Sequence, residues 1–414
     1  MIRLSTTFIA LLVLASLLAG TASLAGTTEK ARILADLSAA PSRCAARVKS
    51  SPKDCAEIAL DLIVYCWASS LRKDMPTDVA NIKDVVSGLA SALNDPVINW
   101  ARAAFAPGST ANASAALPPD DDPRYAPLAE ISREFGMALE PKRRESSPIR
   151  CVEALVRVQG ECQNLQLDLT GALVRAILGK QYHYDMARYR NAEDCYGRAA
   201  SVFLNYGCHE SAAIVYDNYG ALCKEMSRAA GAAQNYWSSA SQWKSLKEQY
   251  PKVSRYYEMA GREYILAGQA QIDAGDRVAG LALMNEGLRY LSASADMTRS
   301  YRTLISNLIT VAEAYAKGGD YGTALDKLKL AAEACRNDND PLLTARVYEL
   351  RYSAYKAQNL VSNANKELDN RDKALRDAAL AGEIALGRVG SSAALTKDVQ
   401  AELFLAAERG AAAL

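Results

Sequence analysis

The chain has 414 residues, half of them hydrophobic, which excludes wholesale disorder and is enough for two or three cores. Its 48 basic and 47 acidic residues leave a formal charge of +1, and no segment gathers the Lys and Arg that would neutralise a run of phosphates, so nucleic acid is excluded as the main partner. Two His, His183 and His209, exclude a histidine-rich metal centre, while 21 Tyr against 5 Phe mean that many large side chains carry a hydroxyl in need of a partner.

Residues 1–26 have the three-part plan of a secretory leader. Arg3 gives a positive start, Phe8 to Leu18 is apolar, and Gly20 to Gly26 offers small residues for cutting after Ala22 or Ala25. The uncharged residues 4–25 are also long enough to cross a bilayer, which takes about 20 residues. The expectation is a secreted, periplasmic or otherwise extracytoplasmic protein, cleaved or anchored by residues 4–25. In that compartment nine Cys favour disulfides, and an odd count leaves a thiol over. Cys44 and Cys55 flank a corner expected at Ser50, Ser51 and Pro52. Cys151 and Cys162 repeat the spacing around Gly160, so both pairs are candidate bridges; the alternative is that these Cys are small buried hydrophobes.

Residues 27–106 read as a small Cys-containing helical domain, with helices within Glu29 to Lys49, Lys53 to Arg72 and Val79 to Phe105. Residues 107–149 read as a Pro-rich linker in which Leu128 to Leu139 can form one short helix. Asn112, Ala113 and Ser114 make a glycosylation acceptor there if the source cell modifies exported proteins. From 150 to 414 the pattern is helix after helix, with breaks at Ser227, Gly275, Gly319 and Asn359, where a left-handed residue ends a helix.

Aligned on those breaks, the chain repeats. Tyr216, Gly220, Cys223, Ala232 and Tyr236 share their spacing with Tyr264, Gly268, Gln271, Gly280 and Met284. Leu308, Ala312, Tyr315, Ala324 and Leu328 follow, then Tyr348, Tyr352, Tyr355, Ala364 and Leu368, with units opening 48, 44 and 40 residues apart. In most units a small residue on the first helix faces a small residue twelve positions later on the second, so the two can cross closely, and the Tyr beside them fill the wedge between hairpins.

These residues resemble the tetratricopeptide repeat family, most clearly over Leu308 to Pro341 and more loosely over residues 165–410. The resemblance implies an all-α fold, an α-solenoid of stacked helical hairpins. Departures are a longer period, Gln271 where an aromatic is usual, and Tyr352 where a small residue is usual. A break at Leu178, Gly179 and Lys180 suggests a degenerate earlier unit, and Leu395 to Ala407 resembles a terminal capping helix. Tyr196, Ala199, Ala200, Phe203, Gly207, Ala212, Tyr216 and Tyr219 also fit the motif, pairing the helices in the other phase.

No nucleophile elbow, dinucleotide loop, phosphate loop or zinc-protease helix occurs, so the reading is not an enzyme and calls for no cofactor. Cys195, Cys208, His209 and Cys223 are the nearest to a metal set, but their spacing is not that of structural zinc sites, so no metal is expected. His183, between Tyr182 and Tyr184 near a break, reads as an ordinary exposed or loosely packed residue. The expected function is a scaffold that binds protein or peptide partners in the cell envelope. It would use outward residues of the first helices: Asp217, Lys224, Arg262, Gln269, Asp273, Glu313, Lys317, Arg346, Glu349 and Lys356. The alternative is a glycan-binding or glycan-cleaving array that uses Tyr182, Tyr184, Tyr206 and Tyr250 as stacking platforms.

Overall fold

The computed structural model of the chain describes residues 29–71, 82–105, 122–139, 147–338 and 340–389. The leader, the acceptor at Asn112 and the capping helix expected over Leu395 to Ala407 lie outside them. Among the described residues every regular element is helical, and none is long and apolar enough to cross a membrane. The chain forms two compact units, residues 1–228 and 229–414.

The first unit is built around α3 (Pro52–Ser70), which follows α1 (Glu29–Ala39) and α2 (Cys44–Ser50). The stretch read as helical from Glu29 to Lys49 divides into α1 and α2 at Pro41, which opens a short 3-10 turn. Pro52 sits at the start of α3, where its missing N–H costs nothing. Cys55, Ile58, Leu62, Tyr65 and Trp67 are buried on several faces of α3, so the helix must lie inside a core. The stretch read as helical from Val79 to Phe105 holds two helices among the described residues, α4 (Ile82–Leu93) and α5 (Pro96–Ala104). Asn94 turns left-handed between them, and Asp95 caps α5 by accepting from the Val97 and Ile98 amides at 2.8 and 3.2 Å. The supposed linker contributes α6 (Tyr125–Leu139), whose Phe135 ring lies 5.8 Å from Trp67.

Four further elements complete this unit: α7 (Pro148–Asn164), α8 (Asp168–Lys180), α9 (Tyr189–Asn205) and α10 (His209–Glu225). The Asp61 carboxylate on α3 is fully buried and accepts from the amides of Leu169 (2.8 Å) and Thr170 (2.9 Å) and from the Thr170 hydroxyl (2.7 Å). Those groups are the orphan donors at the start of α8, which the Leu167 side chain cannot cap. Tyr65 and Ser211 join α3 to α10 through hydroxyls 2.9 Å apart, and the Lys30 ammonium donates to the Gln166 carbonyl at the end of α7 (3.1 Å). Residues from Ile33 to Leu222 therefore share one core. The division expected at 150 is absent and falls after Arg228, because α3 buries its remaining faces against α8.

No disulfide joins any of the nine cysteines, which corrects both expected bridges. Cys151 and Cys162 lie on the single helix α7, about three turns and 16 Å apart, beyond the reach of a bond. Cys44 and Cys55 are both free and buried, and the Cys44 thiol donates to the Val85 carbonyl on α4 (3.8 Å). Burial pushes the thiols of Cys55 and Cys66 up to about 11 and about 12, which keeps them protonated and slow to oxidise. Alkylation in denaturant without reductant is expected to add nine adducts by mass. Seven or fewer would mean that a bridge exists.

The second unit runs through α11 (Ala229–Gln249), α12 (Ser254–Asp273), α13 (Arg277–Thr298), α14 (Arg302–Lys317), α15 (Tyr321–Asp338), α16 (Pro341–Ala357) and α17 (Val361–Val389). Its breaks have the expected chemistry. Gly275, Gly319 and Asn359 are left-handed, and the amides of Asp276, Asp320 and Leu360 reach back to the carbonyls of Gln271 (3.0 Å), Tyr315 (3.1 Å) and Tyr355 (3.0 Å). In the first unit Ser227 and Gly207 end their helices in the same way, whereas Gly179 is helical and no break occurs there.

Each hairpin α12/α13, α14/α15 and α16/α17 packs in the phase read from the repeat, while in the first unit α9 pairs with α10 in the other phase. The closest crossing is α12 on α13. A methyl group on Gly268 would lie 2.5 Å from the Gly280 carbonyl oxygen, and one on Gly280 would lie 2.5 Å from that of Gly268. Two turns away, Gly261 and Gly287 repeat the arrangement at 2.8 and 2.6 Å, so the backbones touch at two levels. Between hairpins, the Arg277 guanidinium donates to the Ala314 and Tyr315 carbonyls (2.7 and 3.2 Å), closing the end of α14 from the start of α13.

Candidate functional site

Stacking three hairpins places their first helices side by side: α12 touches α14, and α14 touches α16. Side chains join the row. The Thr303 hydroxyl donates to Glu258 (3.1 Å) between α14 and α12, and Arg346 on α16 donates to Glu313 on α14 (3.1 Å). Eight of the ten expected contact residues lie in this unit; Asp217 and Lys224 lie on α10 in the other.

Geometry separates the eight further. Arg346 also pairs with Glu349 (3.2 Å), and Gln269 donates to Asp273 (3.1 Å), so both expected glutamates and the aspartate are engaged within the row. Arg262, Lys317 and Lys356 are exposed, and among the described residues none has a carboxylate partner. Among the expected residues of this face, the charges left without a partner of opposite sign are therefore basic. The Lys356 ammonium lies 5.6 Å from the Tyr352 ring, one use of a Tyr at a position where the repeat usually holds a small residue.

The Tyr excess is largely packing. Tyr264 and Tyr290 are buried and stack at 5.6 Å, and the Tyr315 hydroxyl accepts from Asn285 at 2.7 Å. Of the four Tyr expected at breaks, Tyr206 donates to Asp168 (2.6 Å) and Tyr182 is half-buried, while Tyr250, 6.0 Å from Tyr256, and Tyr184 remain exposed, at 38% and 53%.

His183 departs from its expected exposure. After α8 the chain takes a π turn over Gln181–Asp185, which adds a residue to the turn and carries His183 inward. Its ring is buried against Tyr184 (3.9 Å, stacked), with Nε2 3.1 Å from Glu225 and Nδ1 3.5 Å from the Tyr196 hydroxyl. Gly179 makes room for that Tyr196 ring, since a methyl there would lie 2.6 Å from it. Beside it, Tyr219 and Arg228 both donate to Glu193 at 3.0 Å. The Arg228 hydrogen bond holds the Glu193 carboxyl below its usual range, and burial pushes Tyr219 up to about 12. The ring is enclosed, with Nδ1 in reach of the Tyr196 hydroxyl and Nε2 near Glu225 but without a hydrogen-bond partner among the described residues, so His183 packs α8 against α9 and α10 and has no open face for a substrate. Neither the π turn nor the partners across α9 and α10 leave a signal in the local sequence.

Cys195, Cys208, His209 and Cys223 do not converge; among the described residues no group of three or more His, Cys, Asp or Glu is placed to hold a metal ion.

No known protein family matches the chain, and no curated protein matches it. Among solved structures it is similar to the apo form of RapI, at 15% identity and a TM-score of 0.38, over 70% of this chain and 95% of that one. It is also similar to BtubC (BKLC) from P. vanneervenii, at 17% identity and a TM-score of 0.23, over 63% of this chain and 94% of that one.

Proposed function

We propose that the protein is a non-enzymatic scaffold of the tetratricopeptide type that binds protein or peptide partners, exported to the cell envelope or tethered there by residues 4–25. The observation that carries this reading is the row of α12, α14 and α16, cross-linked by its own side chains yet leaving Arg262, Lys317 and Lys356 exposed and, among the described residues, without a carboxylate partner. A fixed row of outward charges on touching helices orders few side chains on binding, which lowers the cost of association. Export rests on the sequence of residues 1–26 alone. A glycan-directed reading is favoured by one feature, the exposed Tyr184 ring held flat on His183.

Immobilised full-length chain is expected to retain a defined protein from detergent-solubilised cell extract. Arg262→Glu, Lys317→Glu and Lys356→Glu together should lower that retention by about tenfold or more. Lys329→Glu, on a second helix, should leave it unchanged. Retention that ignores the triple reversal would sink this assignment of the face. A glycan-array signal abolished by Tyr184→Ala, with no protein retained, would establish the glycan reading instead.

A further inference from the structure

Helices α7, α8 and α9 leave an open cleft of about 510 Å³ in the first unit. Three guanidinium groups line it, Arg175 from α8 and Arg190 and Arg198 from α9, against one carboxylate, Asp194. Arg198 is already paired with that carboxylate at 2.8 Å, an exposed contact one helical turn long. Arg175 is half-buried, and its hydrogen-bond partner among the described residues is the Gln159 amide. With the Gln159 nitrogen donating to the Gly171 carbonyl (2.8 Å), its oxygen accepts from Arg175 (3.1 Å). Arg190 is exposed, and among the described residues neither it nor Arg175 has a carboxylate partner.

A chain of net charge +1 thus concentrates an excess of two positive charges in one cleft. Guanidinium forks match carboxylates two bonds at a time, and a half-buried one gains more from such a pair than a solvated one. The remaining lining is not that of a phosphate track. Gln163 and Asn191 carry amides that can both donate to and accept from a peptide backbone, and Val156, Leu178 and Tyr182 form an apolar wall, with Val156 half exposed. Three cations in a short cleft also fall short of the extended stripe that a nucleic acid backbone requires.

We propose that this cleft binds a short acidic peptide segment of a partner protein, with side-chain carboxylates on Arg175 and Arg190 and an apolar side chain between them on Val156 and Leu178. The proposal deepens the scaffold reading by naming the chemistry of a partner, and it uses none of the residues of the α12, α14 and α16 face. The cleft volume lies within the range of about 300–1,000 Å³ typical of small-ligand sites, so only a few residues enter it.

The test is an array of random ten-residue peptides probed with the full-length chain. Enrichment of sequences with two or more Asp or Glu flanking an apolar residue is expected, with binding that weakens as salt rises. Arg175→Gln with Arg190→Gln should weaken the enriched peptides about tenfold. The pair Arg190→Gln and Arg198→Gln, both at exposed positions, should also weaken them and guards against a folding defect at Arg175. The triple reversal on the second unit should leave them unchanged, which separates failure of the cleft from failure of the face. No preference for acidic over basic peptides, undiminished binding by both double variants, or equal displacement by oligothymidylate would each overturn the proposal.

Discussion

Gly268→Ala is expected to destabilise the protein by about 2 kcal/mol, although alanine in mid-helix normally stabilises by about 1 kcal/mol. The added methyl would lie 2.5 Å from the Gly280 carbonyl oxygen, 2.5 Å from Met284 Cγ and 3.0 Å from the Met284 amide nitrogen. The Met side chain can swing aside; the carbonyl and amide belong to α13 and can move only if the helix moves. Separating the helices loosens Gly261 against Gly287 as well, so the damage spreads along the crossing. Gly280→Ala should cost a similar amount, and the double variant less than the sum, because both methyls open the same interface. Gly160→Ala and Gly197→Ala supply the control: nothing lies within 4 Å of a methyl at either site, so propensity should win and both should stabilise. Denaturant titrations followed by far-UV circular dichroism would read these signs, and a Gly268→Ala variant as stable as the parent would refute the close crossing.

Asp61→Ala should cost about 3 kcal/mol by leaving three buried donors at the head of α8 without an acceptor. Asp61 also gives a pH signature. Burial raises its carboxyl to about 6, above the value of 3.8 usual for Asp, even though the hydrogen bonds from Thr170 and Leu169 oppose the rise. The native state therefore binds more protons than the unfolded chain between about pH 4 and pH 6, and the contribution of this group to stability falls as pH rises through that window. Asp61→Asn removes the titration. The stability of the parent relative to this variant is thus expected to fall between pH 4 and 6 by up to about 3 kcal/mol and then level off. A difference that rises or stays flat there would contradict the buried, ionisable cap.

The features legible in the sequence were those set by local spacing. Gly268 and Gly280 were readable because a small residue recurs at the same offset in most hairpins, and Gly275, Gly319 and Asn359 because a helix end asks for left-handed geometry from a residue that accepts it. Gly261 and Gly287 lie one heptad outside the first pair, a signal present in the spacing but missing from the other hairpins. Contacts between distant segments were not legible. Asp61 meets Thr170 across 109 residues, and α3, apolar on several faces, says only that something must cover it. The same holds for Arg175 and Arg190, which share a cleft only because α8 and α9 pack together around the π turn. The phase read from the repeat holds in the second unit and not for α9 with α10, because a stacked helix packs against both neighbours and either pairing can satisfy the small-residue rule.

The scaffold reading is tested most directly by hydrogen–deuterium exchange on the full-length chain, alone and with the protein that it retains from extract. The account predicts slowed exchange concentrated on α12, α14 and α16 around Arg262, Lys317 and Lys356, with α13, α15 and α17 unchanged. Protection confined to those second helices, or none in the second unit, would contradict it.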